Sequence, residues 1–222
     1  LRAAIPWQTL RRRDAPQRTG PIIRYSDLRH KRYVDYSDRL LIFAVDASGS
    51  AALARMGEAK GAIELLLAEA YARRDHVALI SFRGTEAEVL LEPTRSLVQT
   101  KRKLAALPGG GATPLAAGLM AAQTMAVQAR RKGLTPTVIT LTDGRANMAL
   151  DGTANRGQAA TDAQTVARAL RAARVDSIVI DTGKRPEPSL SKIAEILGGN
   201  YIAMPRADAR RIAGAVASTL EI

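Results

Sequence analysis

The chain has 222 residues, enough for one α/β domain with an extra arm or two small domains. Apolar residues make up 46% and aromatics only 4%, so a core must be built from Ala, Leu, Ile and Val. The absence of Cys excludes disulfides and thiolate metal sites, the presence of only two His argues against an imidazole zinc site, and the net charge of +12 favours acidic partners.

Leu1 to Asp38 reads as a separate basic arm, with nine Lys or Arg against four Asp and with Pro6, Pro16, Gly20 and Pro21. Helical periodicity is weak, and the expectation is an extended segment anchored by Trp7 in an apolar groove. Residues 39–222 form the expected globular domain. Leu40 to Val45 is a continuous apolar run ended by Asp46, the pattern of a strand buried on both faces. Met56, Ile63, Leu66, Leu67 and Ala70 then recur at helical spacing. His76 to Phe82 is a second buried strand, and Glu86 to Leu91 follows after only Arg83-Gly84-Thr85. That gap is too short for a helical crossover, so the pair is expected to be an antiparallel hairpin at a sheet edge.

A short helix is expected around Ser96 to Leu107, then an irregular loop through Gly109-Gly110-Gly111. Thr113-Pro114 is expected to open the next helix, with Thr as N-cap and Pro at the first helical position. Leu115, Leu119, Ala122 and Ala126 would line its buried face. Thr137 to Thr142 is the fourth strand, ended by Asp143-Gly144. A helix near Gln158 to Ala173, a strand Ser177 to Ile180, a helix Ser189 to Leu197 stopped by Gly198-Gly199, a strand Asn200 to Met204 and a helix Ala207 to Leu220 complete the order. Strands alternating with helices predict a three-layer α/β/α fold on a doubly wound, mostly parallel sheet with one antiparallel edge strand. No apolar run approaches the roughly 20 residues that span a bilayer.

Ligands of open α/β sheets bind beyond the carboxyl ends of the strands, where the winding reverses. Three loops carry oxygen-bearing side chains suited to that crevice: Asp46-Ala47-Ser48-Gly49-Ser50, Gly111-Ala112-Thr113-Pro114 and Thr142-Asp143-Gly144. If the first and fourth strands are neighbours, two carboxylates and three hydroxyls converge. The set is all hard oxygen and suits Mg²⁺, with Mn²⁺ or Ca²⁺ as alternatives. Two Asp and neutral hydroxyls leave the ion much of its pull on anions, so a carboxylate from another protein can complete its shell. Taken singly, Asp46 and Asp143 read as strand-end turn residues, Ser48 and Ser50 as N-caps; the combination points to a metal.

Enzymatic readings fit poorly. A phosphoryl-accepting Asp46 would need a second acid two residues on, where Ser48 stands. No base lies near a Ser48 or Ser50 nucleophile, and the glycines at 109–111 lack the Gly-Lys-Ser/Thr of a P-loop. The basic residues are dispersed and lack interleaved aromatics, which argues against a nucleic-acid interface.

The residues Asp46, Ser48, Ser50, Thr113 and Asp143 resemble the metal-ion-dependent adhesion site of the von Willebrand factor A, or integrin I, family, over roughly Arg39 to Leu220. The segments Ala59 to Ala62, Arg74 to Gly84, Glu88 to Arg95 and Gly110 to Leu115, with Leu1 to Ala4 and Pro6 to Gln8 in the arm, are further similar to the C-terminal domain of the magnesium-chelatase D-subunit family, in particular its bacteriochlorophyll-pathway branch. Ala51 stands where Met often follows the second Ser, at a position that is not a ligand. That resemblance implies a cytoplasmic, hetero-oligomeric ring complex with an ATP-hydrolysing AAA+ I subunit and a porphyrin-binding H subunit, inserting Mg²⁺ into protoporphyrin IX. The family's ATP-binding AAA+ module and acidic linker have no counterpart in these residues, so neither an ATP site nor a catalytic residue is expected here. A D-like subunit of cobaltochelatase shares the same site logic; a basic nucleic-acid-binding module is the alternative from another class.

Overall fold

The computed structural model describes residues 3–27, 38–48, 65–107, 109–183 and 185–203. Two compact units are present, Leu1–Tyr36 and Ser37–Ile222. In the larger unit, β1 (Arg39–Asp46), β2 (His76–Arg83), β3 (Glu86–Thr94), β4 (Thr135–Thr142), β5 (Asp176–Asp181) and β6 (Asn200–Ala203) form a six-stranded sheet in the order β3-β2-β1-β4-β5-β6. Every pairing is parallel except β2 with β3. The antiparallel edge expected from the three-residue link is therefore present, and β3 extends to Thr94 through two register shifts against β2.

Alternation along β1 feeds both faces of the sheet. Leu40, Ile42 and Ala44 join one apolar cluster, and Leu41, Phe43 and Val45 join the other. On the first face lie α4 (Leu115–Arg131), α5 (Arg156–Ala172) and α6 (Pro188–Leu197). On the second lie α2, helical over residues 65–72, and α3 (Leu97–Ala105), which contribute Leu66, Leu67, Ala70 and Leu104. The result is three layers, with helices on both faces of a mostly parallel sheet. The predicted helix Ala207 to Leu220 and the positions Met56 and Ile63 lie outside the described residues.

The helix ends follow local chemistry. Ser96 caps α3 by accepting from the Gln99 amide, and Asn155 caps α5 by accepting from the Gln158 amide. Gly198 ends α6 in the left-handed conformation at φ 69°. The expected Thr113 cap is wrong. Pro114 is the N-cap residue of α4, with ψ at 67°, its carbonyl accepts from the Gly118 amide, and no side chain caps the helix. Helix α4 thus starts one residue later than expected, and the Thr113 hydroxyl is left for another partner.

Close packing of α4 on the sheet depends on a missing side chain. A Cβ on Gly118 would lie 2.4 Å from the Phe82 ring, which is fully buried. Ala116, Ala122 and Ala126 bring the rest of the helix in.

The smaller unit corrects the expectation of an extended arm. A 3₁₀ turn at Ile5–Trp7 runs into α1 (Gln8–Asp14), and a second turn covers Tyr25–Asp27. Gln8 donates to the Ile22 carbonyl and accepts from its amide, both within 2.9 Å. Arg11 and Asp27 form a bidentate pair, each buried, and Asp27 also accepts from the Arg24 amide. Proline and glycine spacing hid this helix, because its stability comes from side chains that reach across to residues 22–27. Within this unit Trp7 is 52% exposed.

Two outcomes test this packing. Gly118→Ala gains up to about 1 kcal/mol in helix propensity but forces Phe82 to shift, a cost of about 1–3 kcal/mol. A net loss in denaturant melts is expected. The Arg11 hydrogen bonds, then the Arg24 amide, hold the Asp27 carboxyl at about 2 against an ordinary value of 3.8. A depressed carboxylate contributes stability above its unfolded value, and that stability is lost as pH falls through the folded one. Trp7, the only Trp in the chain, should report a change in emission between roughly pH 4 and pH 2, and Asp27→Asn should remove that step.

Candidate metal centre

The chain leaves β1 for β2 on one side and returns through β4 on the other, so β1 and β4 are neighbours and the winding reverses between them. Asp46 ends β1 and Thr142 ends β4, both buried. The Asp46 Oδ2 accepts from the Thr142 hydroxyl at 2.6 Å, and its Oδ1 accepts from the Ser48 amide at 2.8 Å. One carboxylate therefore ties two strands and turns the β1 loop back over the sheet end.

Three backbone bonds tie the end of β1, the end of β2 and the glycine loop together. The Gly110 amide donates to the Ala47 carbonyl at 2.8 Å, the Gly84 amide donates to the Ala112 carbonyl at 2.9 Å, and the Ala47 amide donates to the Phe82 carbonyl at 3.1 Å. Gly110 and Gly111 have φ of 114° and 100°, a region that L side chains avoid. A Cβ on Gly111 would also lie 3.1 Å from the Gly84 nitrogen. The path is thus open to glycine alone, and it delivers Thr113 over the end of β1.

Thr113 is fixed from the other side by Asn147. The Asn147 side-chain oxygen accepts from the Thr113 amide at 2.7 Å, and the Asn147 amide donates to the Thr113 carbonyl at 3.2 Å. With its backbone clamped, the Thr113 hydroxyl lies 2.6 Å from the Ser48 hydroxyl. Both side chains are buried, at 5% exposure each. Burial pushes the Asp46 carboxyl up from its usual range. The Ser48 and Thr142 hydrogen bonds oppose the shift, and the charge on Asp143 adds to it. Asp143 is near enough to repel Asp46 and is partly exposed.

Of the five candidate ligands, Asp46, Ser48, Thr113 and Asp143 are brought together. Ser50 lies outside the described residues. The donor set fits a hard dication. Neighbouring ligands of an octahedral Mg²⁺ with bonds of 2.0–2.1 Å stand about 3 Å apart, so Ser48 and Thr113 need to open by only a few tenths of an ångström. No group of three or more His, Cys, Asp or Glu gathers among the described residues, which sets aside an all-carboxylate or thiolate site there.

Sequence reasoning missed three residues. Thr142 was visible as a polar end to an apolar strand, but its partner was not. Asn147 carried no local signal, since its contact spans 34 residues. Asp181 ends β5 as Asp46 ends β1, and the run Asp181-Thr182-Gly183 echoes Thr142-Asp143-Gly144. It is 1% exposed and accepts from the Gly183 and Glu187 amides and the Tyr201 hydroxyl at 2.8, 2.7 and 2.6 Å. Burial, then the bond to Asp181, pushes the Tyr201 hydroxyl up to about 12, so that hydroxyl stays a donor at neutral pH. Asp181 fixes the loop leading to α6 rather than joining the hydroxyl pair.

Comparison with known proteins agrees with this fold. Residues 41–145 match the von Willebrand factor type A domain family. The chain is 58% identical over 220 residues to the magnesium-chelatase 60 kDa subunit of Cereibacter sphaeroides and 57% identical over 223 residues to that of Rhodobacter capsulatus. The matches cover 99% and 100% of this chain but 39% and 40% of the two relatives, so the chain spans about two fifths of their length. Among solved structures, a von Willebrand factor type A protein from Catenulispora acidiphila superposes with a TM-score of 0.58 at 23% identity, covering 82% of this chain and 42% of that one. The chain carries a von Willebrand factor type A domain and is a relative of the 60 kDa magnesium-chelatase subunits.

Proposed function

We propose that this chain is the metal-dependent protein-binding domain of a magnesium-chelatase D subunit. In this reading it holds the D subunit to the AAA+ I subunit, and to the porphyrin-binding H subunit, in the ATP-driven complex that inserts Mg²⁺ into protoporphyrin IX. The observation that carries the metal is the pair of buried hydroxyls, Ser48 and Thr113, 2.6 Å apart beside the Asp46 carboxylate at the point where the winding reverses. Support for the chelatase comes from the two 60 kDa subunits, whose likeness runs through the whole chain.

A Mg²⁺ ion bound there would supply a Lewis-acid site for a partner carboxylate. Ser48 and Thr113 would offer neutral oxygens, with Ser50 as a third. Asp46 is already engaged by Thr142 and the Ser48 amide. It would balance charge from behind the hydroxyls, with Asp143 at the more open side. Neutral ligands leave net positive charge facing solvent, which is what attracts a carboxylate. Asn147 holds Thr113 in place without touching the ion, and Gly110 and Gly111 make the approach of that loop sterically allowed. In this reading the chain binds, and the chemistry belongs elsewhere in the complex.

The test uses Mg²⁺ calorimetry and capture of the purified AAA+ subunit with and without EDTA. The protein should bind both in Mg²⁺ and release the partner in EDTA. Asp46→Asn keeps an acceptor for the Ser48 amide and lets Thr142 accept instead of donate, so the fold should survive while Mg²⁺-dependent capture is lost. Full capture by Asp46→Asn in Mg²⁺ would overturn the metal reading. Thr113→Ala should weaken Mg²⁺ binding and cost about 1 kcal/mol of stability, because the buried Ser48 hydroxyl loses its partner, and Thr113→Ser should restore both. Asn147→Ala frees the Thr113 amide and should lower both Mg²⁺ affinity and stability, the latter by about 1 kcal/mol.

A further inference from the structure

Beside the candidate metal centre, the first turns of α5 and α6 part to leave a cleft of about 320 Å³. Its floor is apolar, formed by Leu115, Ala146, Ala163, Leu190 and Ile193. Small residues keep it open: Gly157 and Ala160 line the α5 wall, and a Cβ on Gly157 would meet nothing nearer than its own cap, Asn155, at 3.5 Å. The rim is cationic. Arg145, Arg156 and Lys192 all line the cleft, all are exposed, and among the described residues no Asp or Glu lines it. Arg145 is steered by Glu187, which it meets at 2.8 Å.

An apolar floor with a cationic rim defines its ligand. The volume is at the small end for ligand pockets, the size of one or two side chains. A rim of three cations against one neighbouring carboxylate, Glu187, keeps a net positive charge that repels cations and selects a segment whose apolar side chain is flanked by carboxylates. We propose that this cleft is a second, metal-independent anchor, taking a bulky apolar side chain from an acidic segment of a partner protein. The anchor goes beyond the metal-dependent reading, because the cleft needs no ion.

The probe is a fluorescein-labelled peptide, Glu-Asp-Glu-Phe-Glu-Asp-Glu, titrated into the 222-residue chain in EDTA. Replacing its Phe by Ser should weaken binding about tenfold, the lower bound set by burying one large apolar side chain. Ala160→Trp, which fills the cleft from its α5 wall, should weaken binding of the Phe peptide by at least as much while circular dichroism and the melting profile are kept. Should Ala160→Trp disturb the fold, the double reversal Arg156→Glu with Lys192→Glu gives the same readout from the exposed rim. Equal binding of the Phe and Ser peptides, or unchanged binding by a folded Ala160→Trp chain, overturns the proposal. So does a dimer in sedimentation velocity that Ala160→Trp dissociates, which would make a second copy the occupant. Asp46→Asn should leave binding in EDTA unchanged, so the anchor and the metal reading fail separately.

Discussion

A buried carboxylate at the end of β1 is the constraint on which the upper surface of this domain depends. Asp46 is withdrawn from water, and burial alone would make its charge unfavourable. Two donors answer that cost, the Thr142 hydroxyl and the Ser48 amide. Each has a structural consequence. The first ties the end of β1 to the end of β4, and the second turns the loop so that the Ser48 hydroxyl faces the incoming glycine loop. Removing the side chain would leave Thr142 buried without its acceptor and release the turn together. The same group is thus part of the fold and part of the candidate centre, and its raised proton affinity marks a place where positive charge would be favourable.

The convergence is built mainly by backbone. Loops after β1, β2 and β4 and the glycine loop before α4 exchange main-chain bonds, and the Thr113 and Ser48 hydroxyls meet as a result. This makes the geometry tolerant of sequence change at most loop positions and intolerant at a few. Gly110 and Gly111 are among those few because of their positive φ, and Asn147 because it meets the Thr113 amide and carbonyl at once. Asp181 repeats the device one strand further out, where a buried carboxylate gathers two amides and a phenol and so fixes the start of α6.

What could be read from the sequence follows from range. Strand β1 announces itself because burial on both faces writes a continuous apolar run, β2, β4 and β5 show shorter apolar runs interrupted or bounded by Ser, Thr or Asp, and the β2–β3 link is too short for any but an antiparallel pairing. The ligand candidates were legible because strand-end polar residues in three loops share one chemistry. The failures were of two kinds. Thr113 looked like a cap because Thr-Pro so often opens a helix, yet Pro114 adopts a ψ of 67° and stays outside α4, while the Thr113 amide is drawn to Asn147. The arm looked extended because its helix is short and its stability comes from Gln8 and Arg11 bonding to residues 22 and 27, contacts that no local pattern encodes.

The division of labour across the sheet follows from where charge is placed. At the candidate metal centre, Asp46 and Asp143 carry the negative charge beside the Ser48 and Thr113 hydroxyls, and on the proposed reading a cation would come before an anionic partner. At the cleft between α5 and α6 the cations are covalent, carried by Arg145, Arg156 and Lys192. Both features lie beyond the carboxyl ends of the strands, and Arg145 is two residues from Asp143. A partner carrying carboxylates on either side of an apolar residue would satisfy both with one segment. The ion would then decide when the segment docks, and the cleft would decide which segment does. An ion alone discriminates poorly among carboxylates, and an apolar cleft alone cannot be switched by an ion; adjacent placement would supply both properties at one end of the sheet.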